Sequence, residues 1–200
     1  AAGALLCAAA FAVWGYAARP VEVTVLDVGK GQCVLIEKFG GPKILIDAGS
    51  ESQGRSLVKP FLRARGVNRL DLAVATHGDA THVGGLIEII REMPVKELAV
   101  SPAKTRSSKF KKLLKEAESL GVKVVPVKAG DTLRSGGIDL EVLWPREPFR
   151  SKADENSVVL RCRDLIFLSD LPESLEGEVA GAGAVTVVPR AESPECFYGA

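Results

Sequence analysis

Residues 75–85 read ATHGDATHVGG and hold both histidines of the chain. His77, Asp79 and His82 form a His-x-Asp-x-x-His pattern, with Thr81 directly before the second histidine. Imidazole and carboxylate are borderline ligands suited to zinc, manganese or iron. A strand that ends in such a loop and then opens a Gly-Gly helix presents these groups at a crevice beyond the sheet. On the residues alone two readings stand: a metal or catalytic site, and a tight structural loop shaped by Thr76, Gly78 and Gly84.

The elements around the motif must position it. LDLAVAT reads as a buried strand leading into it, and GGLIEIIREM as the start of the helix leaving it. Upstream, VEVTVLDVG alternates as a half-buried strand does. CVLIE and ILIDAG flank KFGGPK as a hairpin. RSLVKPFLRARG has helical spacing, with Pro60 at a kink or first turn and Gly66 as the stop. Downstream, SSKFKKLLKEAESLG places Phe110, Leu113, Leu114, Ala117 and Leu120 on one face. Ser107 or Ser108 caps that helix and Gly121 ends it. VKVVPV, IDLEVLWP, SVVLRCR, LIFLSD and AVTVVP are further strands, and PESLEGEVAGAG is a weak helix. The order predicts one two-sheet α/β domain over residues 20–200.

Residues 1–19 differ. AAGALLCAAAFAVWGYAA is eighteen residues without a charge, close to the roughly 20 needed to cross a bilayer. Trp14 and Tyr16 suit an interfacial belt, and no basic region of a signal peptide precedes them. The segment reads as a transmembrane helix or its end; its alanine content keeps a buried helix as the other reading. The chain does not open with Met, which suggests a piece of a longer protein. A formal charge of +1 gives no global case for a polyanionic partner, so any such contact is local. The four cysteines, Cys7, Cys33, Cys162 and Cys196, form no CxxC pair, which excludes a zinc ribbon. Cys33 and Cys162 read as small buried hydrophobes.

THGDATHVGGL resembles the signature T-H-x-H/D-x-D-H-x-G-G of metallo-β-lactamase-fold hydrolases. Together with VTVLDVGKGQCVLIE, ILIDAG, ENSVVLRCRDLIFLSD and VTVVPRAES, it is similar to the corresponding domain of ComEC-type competence proteins, the channel family of DNA uptake. The resemblance implies an αββα metallo-β-lactamase-like sandwich, preceded by an apolar membrane helix. It implies phosphodiester hydrolysis by a metal-activated water. His77 and Asp79 match ligands of a first metal, His82 a ligand of a second, and Asp170 in LSD the bridging carboxylate. Asp79 and Asp170 are thereby the candidate catalytic residues. Asp27 and Asp47 match aspartates that support the site, and Asn156 matches a position beside it.

Two departures weaken the match. Thr81 stands where the family has an aspartate ligand, and Arg190 and Ala191 replace two histidines. The chain also stops soon after residue 193, where the family continues. The resemblance with its departures predicts a degenerate domain of a ComEC-like DNA-uptake protein, with weak or no hydrolysis. The alternatives are a metal-dependent phosphodiesterase or nuclease acting on DNA during uptake, and an anchored domain without a link to DNA. One divalent ion, zinc or manganese, or none is expected. The expected partners are DNA, membrane and the channel portion of a larger protein, at the bacterial cell membrane. AKTRSSKFKKLLKE is either a phosphate or lipid contact or the solvated face of a helix. DVGKGQ lacks the spacing of a phosphate loop; in the family it is a turn, with Lys30 and Gln32 toward the site. Asp131 and the pair Trp144-Pro145 read as turn and core residues.

Overall fold

Alternation along neighbouring strands sorts their side chains into two cores. In VLI, Leu35 points one way and Val34 and Ile36 the other; in KILI, Leu45 opposes Ile44 and Ile46. Leu35, Leu45, Ala73 and Leu98 share a core with the helices, while Val34, Ile36, Ile44, Ile46, Leu72, Val74 and Ala99 face a second sheet. The structure is a computed structural model that describes residues 20–152, 154–179 and 185–187.

The first sheet has the order β1-β2-β3-β4-β5-β6. Its strands are β1 (Val21–Val25), β2 (Val34–Lys38), β3 (Lys43–Ile46), β4 (Leu70–Ala75), β5 (Val95–Val100) and β6 (Lys123–Pro126). The first three are antiparallel, β2 and β3 forming the expected hairpin, and β3 to β6 run parallel. The second sheet has the order β11-β10-β9-β8-β7. It contains β7 (Thr132–Ser135), β8 (Ile138–Trp144), β9 (Val159–Cys162), β10 (Leu165–Phe167) and β11 (Val185–Val187). Among the described strands of this sheet only the β10–β11 pair is parallel.

Among the described residues three helices cover the first sheet. α1 is a continuous run of Glu51–Gln53, a π-helical Gly54–Val58 and Lys59–Ala64; α2 is Ala80–Glu92; α3 is Ser108–Ser119. Val58, Leu62, Val83, Leu86, Ile87, Phe110 and Leu113 from these helices fill one core. Ile138, Leu140, Val142, Leu160 and Phe167 of the second sheet fill the layer between the sheets. Trp144, Val159 and Ile166 face outward onto Leu175 and Val179 of α4 (Glu173–Val179). The layers are therefore helix, sheet, sheet, helix, as the resemblance implied. Cys33 and Cys162 are free and buried.

The structure corrects several expectations. α2 begins at Ala80, not at Gly84, so Thr81 and His82 lie on its first turn. The two glycines, read in sequence as the helix start, lie inside the helix and serve close approach. A Cβ at Gly84 would stand 2.6 Å from Glu51 N, and one at Gly85 would stand 2.0 Å from Ala48 O. Gly85 N instead donates to Gly49 O at 2.9 Å, and Ala48 N donates to His82 O at 3.0 Å. Pro60 stands in the first turn of the α-helical segment Lys59–Ala64, as one of the two readings had it, directly after a π turn in which Lys59 N donates to Gly54 O. The wider turn accommodates a ring that would clash in a regular α-helix. On α3, Phe110, Leu113 and Ala117 are buried, Leu114 is partly so, and Leu120 is exposed. The apolar face stops short because Leu120 is already the C-cap. Strand β7 was not expected. No helix among the described residues is long and apolar enough to cross a membrane. The span expected at residues 1–19 lies outside them, as do Cys7, Cys196, Arg190 and Ala191.

Glu37 on β2 is buried and ties the hairpin to the end of α1. It accepts from Lys43 Nζ at 2.5 Å and from Arg65 Nε at 2.9 Å. Burial works to raise the carboxyl pKa, but the bonds and charges of Lys43 and Arg65 outweigh it and hold it below the ordinary 4.5. The unfolded chain therefore binds the proton more readily. The stabilisation is complete above pH 4.5 and declines as pH falls through the folded-state value. Glu37→Gln should lower unfolding stability at pH 7 by about 2 kcal/mol. Denaturant titrations at pH 7 and pH 3 should show the difference shrinking at the lower pH; a constant difference would show that the charge is not the cause.

Candidate metal centre

The centre forms where β3, β4 and α2 meet the turn after β10. Asp47 follows β3 and is fully buried with φ of 54°, a left-handed conformation that Asp tolerates better than most residues. Its Oδ1 accepts from Thr76 N at 3.0 Å; its Oδ2 accepts from Thr76 Oγ1 at 2.6 Å and contacts His82 Nδ1 at 2.9 Å. Ser169, also at φ 54°, donates from Oγ to Thr76 Oγ1 at 2.7 Å. His77 Nδ1 lies 3.1 Å from that same Thr76 oxygen.

This network places a proton on Nδ1 of each imidazole. The single hydroxyl proton of Thr76 goes to Asp47, so Thr76 Oγ1 accepts from His77 Nδ1. Asp47 is an acceptor only, so His82 Nδ1 also carries a proton. Both Nε2 atoms are left to face the centre. They are buried and have no hydrogen-bond partner among the described residues. The rings lie 4.1 Å apart between centroids. Asp170 Oδ2 stands 3.4 Å from His77 Nε2 and 3.2 Å from His82 Nε2, and neither approach is aligned as a hydrogen bond.

Burial works against a proton on His82, but Asp170 and Asp47 outweigh it and push its pKa up to about 10. Burial would raise the Asp170 pKa, but the two imidazoles outweigh that and hold it well below the ordinary carboxylate range. Positive charge is thus favoured between the two carboxylates. His77, His82 and Asp170 each offer a ligand atom, and these atoms all lie within 4.8 Å of one another. Two buried unpartnered nitrogens and a carboxylate fit a divalent cation, with Asp47 orienting His82 from behind.

The sequence-predicted residues divide. His77, His82 and Asp170 come together. Asp79 joins His77 in a second group, with Asp154, whose ligand atoms also lie within 4.8 Å of one another. Asp47 supports the centre, whereas Asp27 accepts from Gly29 N at 2.9 Å and shapes an exposed turn. Asn156 bonds to Arg150 N, Arg150 O and Lys152 O, which makes it a loop staple. Trp144 is buried and donates to Glu155 O at 2.7 Å. Asp131 accepts from Lys128 N at 2.9 Å in a turn. Gln32 is fully buried, and both its amide atoms lack a partner among the described residues. The sequence named Thr76 only as a residue shaping the loop and did not single out Ser169 or Asp154: hydroxyls and a lone loop carboxylate carry no spacing signal.

The metallo-beta-lactamase superfamily model matches residues 26–156. The chain belongs to that superfamily. Its curated relatives include ComE operon protein 3 of Bacillus subtilis, 28% identical over 179 residues, covering 79% of this chain and 23% of the relative. Recombination protein 2 of Haemophilus influenzae is 33% identical over 94 residues, covering 45% of this chain and 12% of the relative. Competence protein ComA of Neisseria gonorrhoeae is 40% identical over 63 residues, covering 32% and 9%. The expected resemblance to ComEC-type competence proteins is borne out by these relatives. The chain spans under a quarter of their length. Among solved structures, a metallo-beta-lactamase, SMB-1, in complex with mercaptoacetic acid aligns with a TM-score of 0.51 and 16% identity, covering 74% of this chain and 60% of that one. A HARLDQ-motif mutant metallo-beta-lactamase of Cronobacter sakazakii aligns at 0.50 and 17%, covering 76% and 64%. These two show the metallo-beta-lactamase fold.

Asp47→Asn should weaken metal binding by about 10- to 100-fold, because the amide no longer fixes the His82 ring through a charged acceptor. Zinc titration against a competing chromophoric chelator checks this, and an unchanged affinity would remove Asp47 from the centre.

Proposed function

We propose that this chain is the metallo-beta-lactamase-like domain of a DNA-uptake protein and keeps a reduced, slowly hydrolytic metal centre. The supporting observation is the convergence of two buried, unpartnered imidazole nitrogens on Asp170, in a chain whose relatives are named for competence and recombination. His77, His82 and Asp170, with Asp79 beside His77, would hold one divalent ion, zinc or manganese. When bound, such an ion supplies Lewis acidity toward a phosphodiester and toward water. Thr81, a neutral hydroxyl in place of a carboxylate, leaves the His82 side short of anionic ligands, and so hydrolysis is slow.

The protein's own groups suit a phosphodiester backbone. Lys104 lines a small cleft with His77, Gly78 and Asn156, and both Lys104 and Arg106 are exposed. Neither makes an ion pair among the described residues, whereas Lys109 on the adjoining helix is bound to Glu51 at 2.6 Å. Lys104 in the cleft beside His77, with Arg106 exposed two positions on, would hold phosphates near the centre. The larger protein, its membrane setting and its channel portion belong to the same proposal.

Linear DNA incubated with the chain and manganese should be degraded slowly, with loss of activity on chelation or in His77→Ala. Thr81→Asp should restore a carboxylate on the first turn of α2 and raise the rate about tenfold or more. Metal-loaded protein that binds DNA yet never cleaves it, with Thr81→Asp equally silent, would leave a binding domain and sink the hydrolytic reading.

A further inference from the structure

Asp154 lies outside every motif, in the three-residue 3-10 turn Asp154–Asn156. That turn is held from several directions. Trp144 Nε1 donates to Glu155 O at 2.7 Å, Ser157 N to Asp154 O at 3.0 Å, and the Asn156 amide bonds back to Arg150 and Lys152. Val158 N then donates to Thr76 O at 2.7 Å, which fixes the turn against the strand end that carries His77.

Asp79 approaches from the other side. It occupies the N-cap of α2, a position where Asp usually bonds the helix backbone, yet its side chain makes no cap bond. Its loop is fixed by Ser107, whose Oγ donates to Gly78 O and accepts from Phe110 N. The result is two exposed carboxylates and one buried imidazole with ligand atoms within 4.8 Å of one another. Neither carboxylate has a cationic partner among the described residues, and His77 Nε2 is buried and unpartnered.

From this juxtaposition we propose that Asp154 is a further ligand of the ion that His77, His82 and Asp170 would hold, joining Asp79 beside His77 so that three carboxylates and two imidazoles surround it. The inference rests on the metal-binding reading given above. It restores on the His77 side an anionic ligand that Thr81 removes on the His82 side. It also favours a hard ion such as manganese, since carboxylate oxygens outnumber nitrogens.

The test is a manganese titration of the whole chain followed by the electron paramagnetic resonance signal of free Mn²⁺, which disappears on binding. Wild type, Asp154→Asn, Asp170→Asn and the remote exposed variant Asp139→Asn are compared, with circular dichroism confirming each fold. The expected result is a Kd at least about tenfold weaker for Asp154→Asn and Asp170→Asn, and unchanged for Asp139→Asn. If Asp154→Asn binds like wild type while Asp170→Asn is weakened, the metal reading stands and Asp154 is not a ligand. Equal weakening in Asp139→Asn would reduce the effect to general charge and overturn the assignment. No binding by wild type would overturn both readings.

Discussion

Everything at the centre hangs on one buried carboxylate. Asp47 takes a backbone amide and a hydroxyl from Thr76 and holds His82 through its Nδ1. Those three bonds join the end of β3, the end of β4 and the first turn of α2. A fully buried anion is tolerated only when it is bonded this completely. The cost of leaving it unsatisfied keeps the three elements in one arrangement, and the chemistry inherits that arrangement.

The remaining constraints are geometric. Gly84 and Gly85 let α2 lie against the chain at Ala48 and Glu51, which brings His82 over Asp47. The apolar layer between the sheets then sets where the turn after β10 ends, beside Thr76. Asp47 and Ser169 both adopt left-handed backbone, and both touch Thr76. Such conformations persist where surrounding bonds over-determine them, and they are frequent at functional sites.

Much of this was legible in the residues. Alternation in VEVTV, VLIEK and KILI announces strands, and the turn at GGP announces their hairpin. The family resemblance carried by the His-x-Asp-x-x-His pattern and LSD pointed to His77, His82 and Asp170, whose ligand atoms lie within 4.8 Å of one another in the fold. What stayed hidden depends on contacts made only in the folded chain. Two adjacent glycines read as the start of a helix, although here they lie inside it and serve close packing. Thr76 and Ser169 are ordinary hydroxyls until the sheets stack and bring them within 2.7 Å. Asp154 is one acidic residue among many until Trp144 and Asn156 pin its turn.

The centre draws its side chains from both sheets. Thr76 and Ser169, which flank it, are 93 positions apart in the chain. An ion gripping His77 on one side and Asp170 on the other would close that long loop with a bond rather than with packing. Binding confined to the folded state adds stability in proportion to ion concentration. The same few atoms would then act as a removable rivet between the two halves. The force needed to peel the sheets apart would rise and fall with metal supply, whether or not any substrate was ever cut.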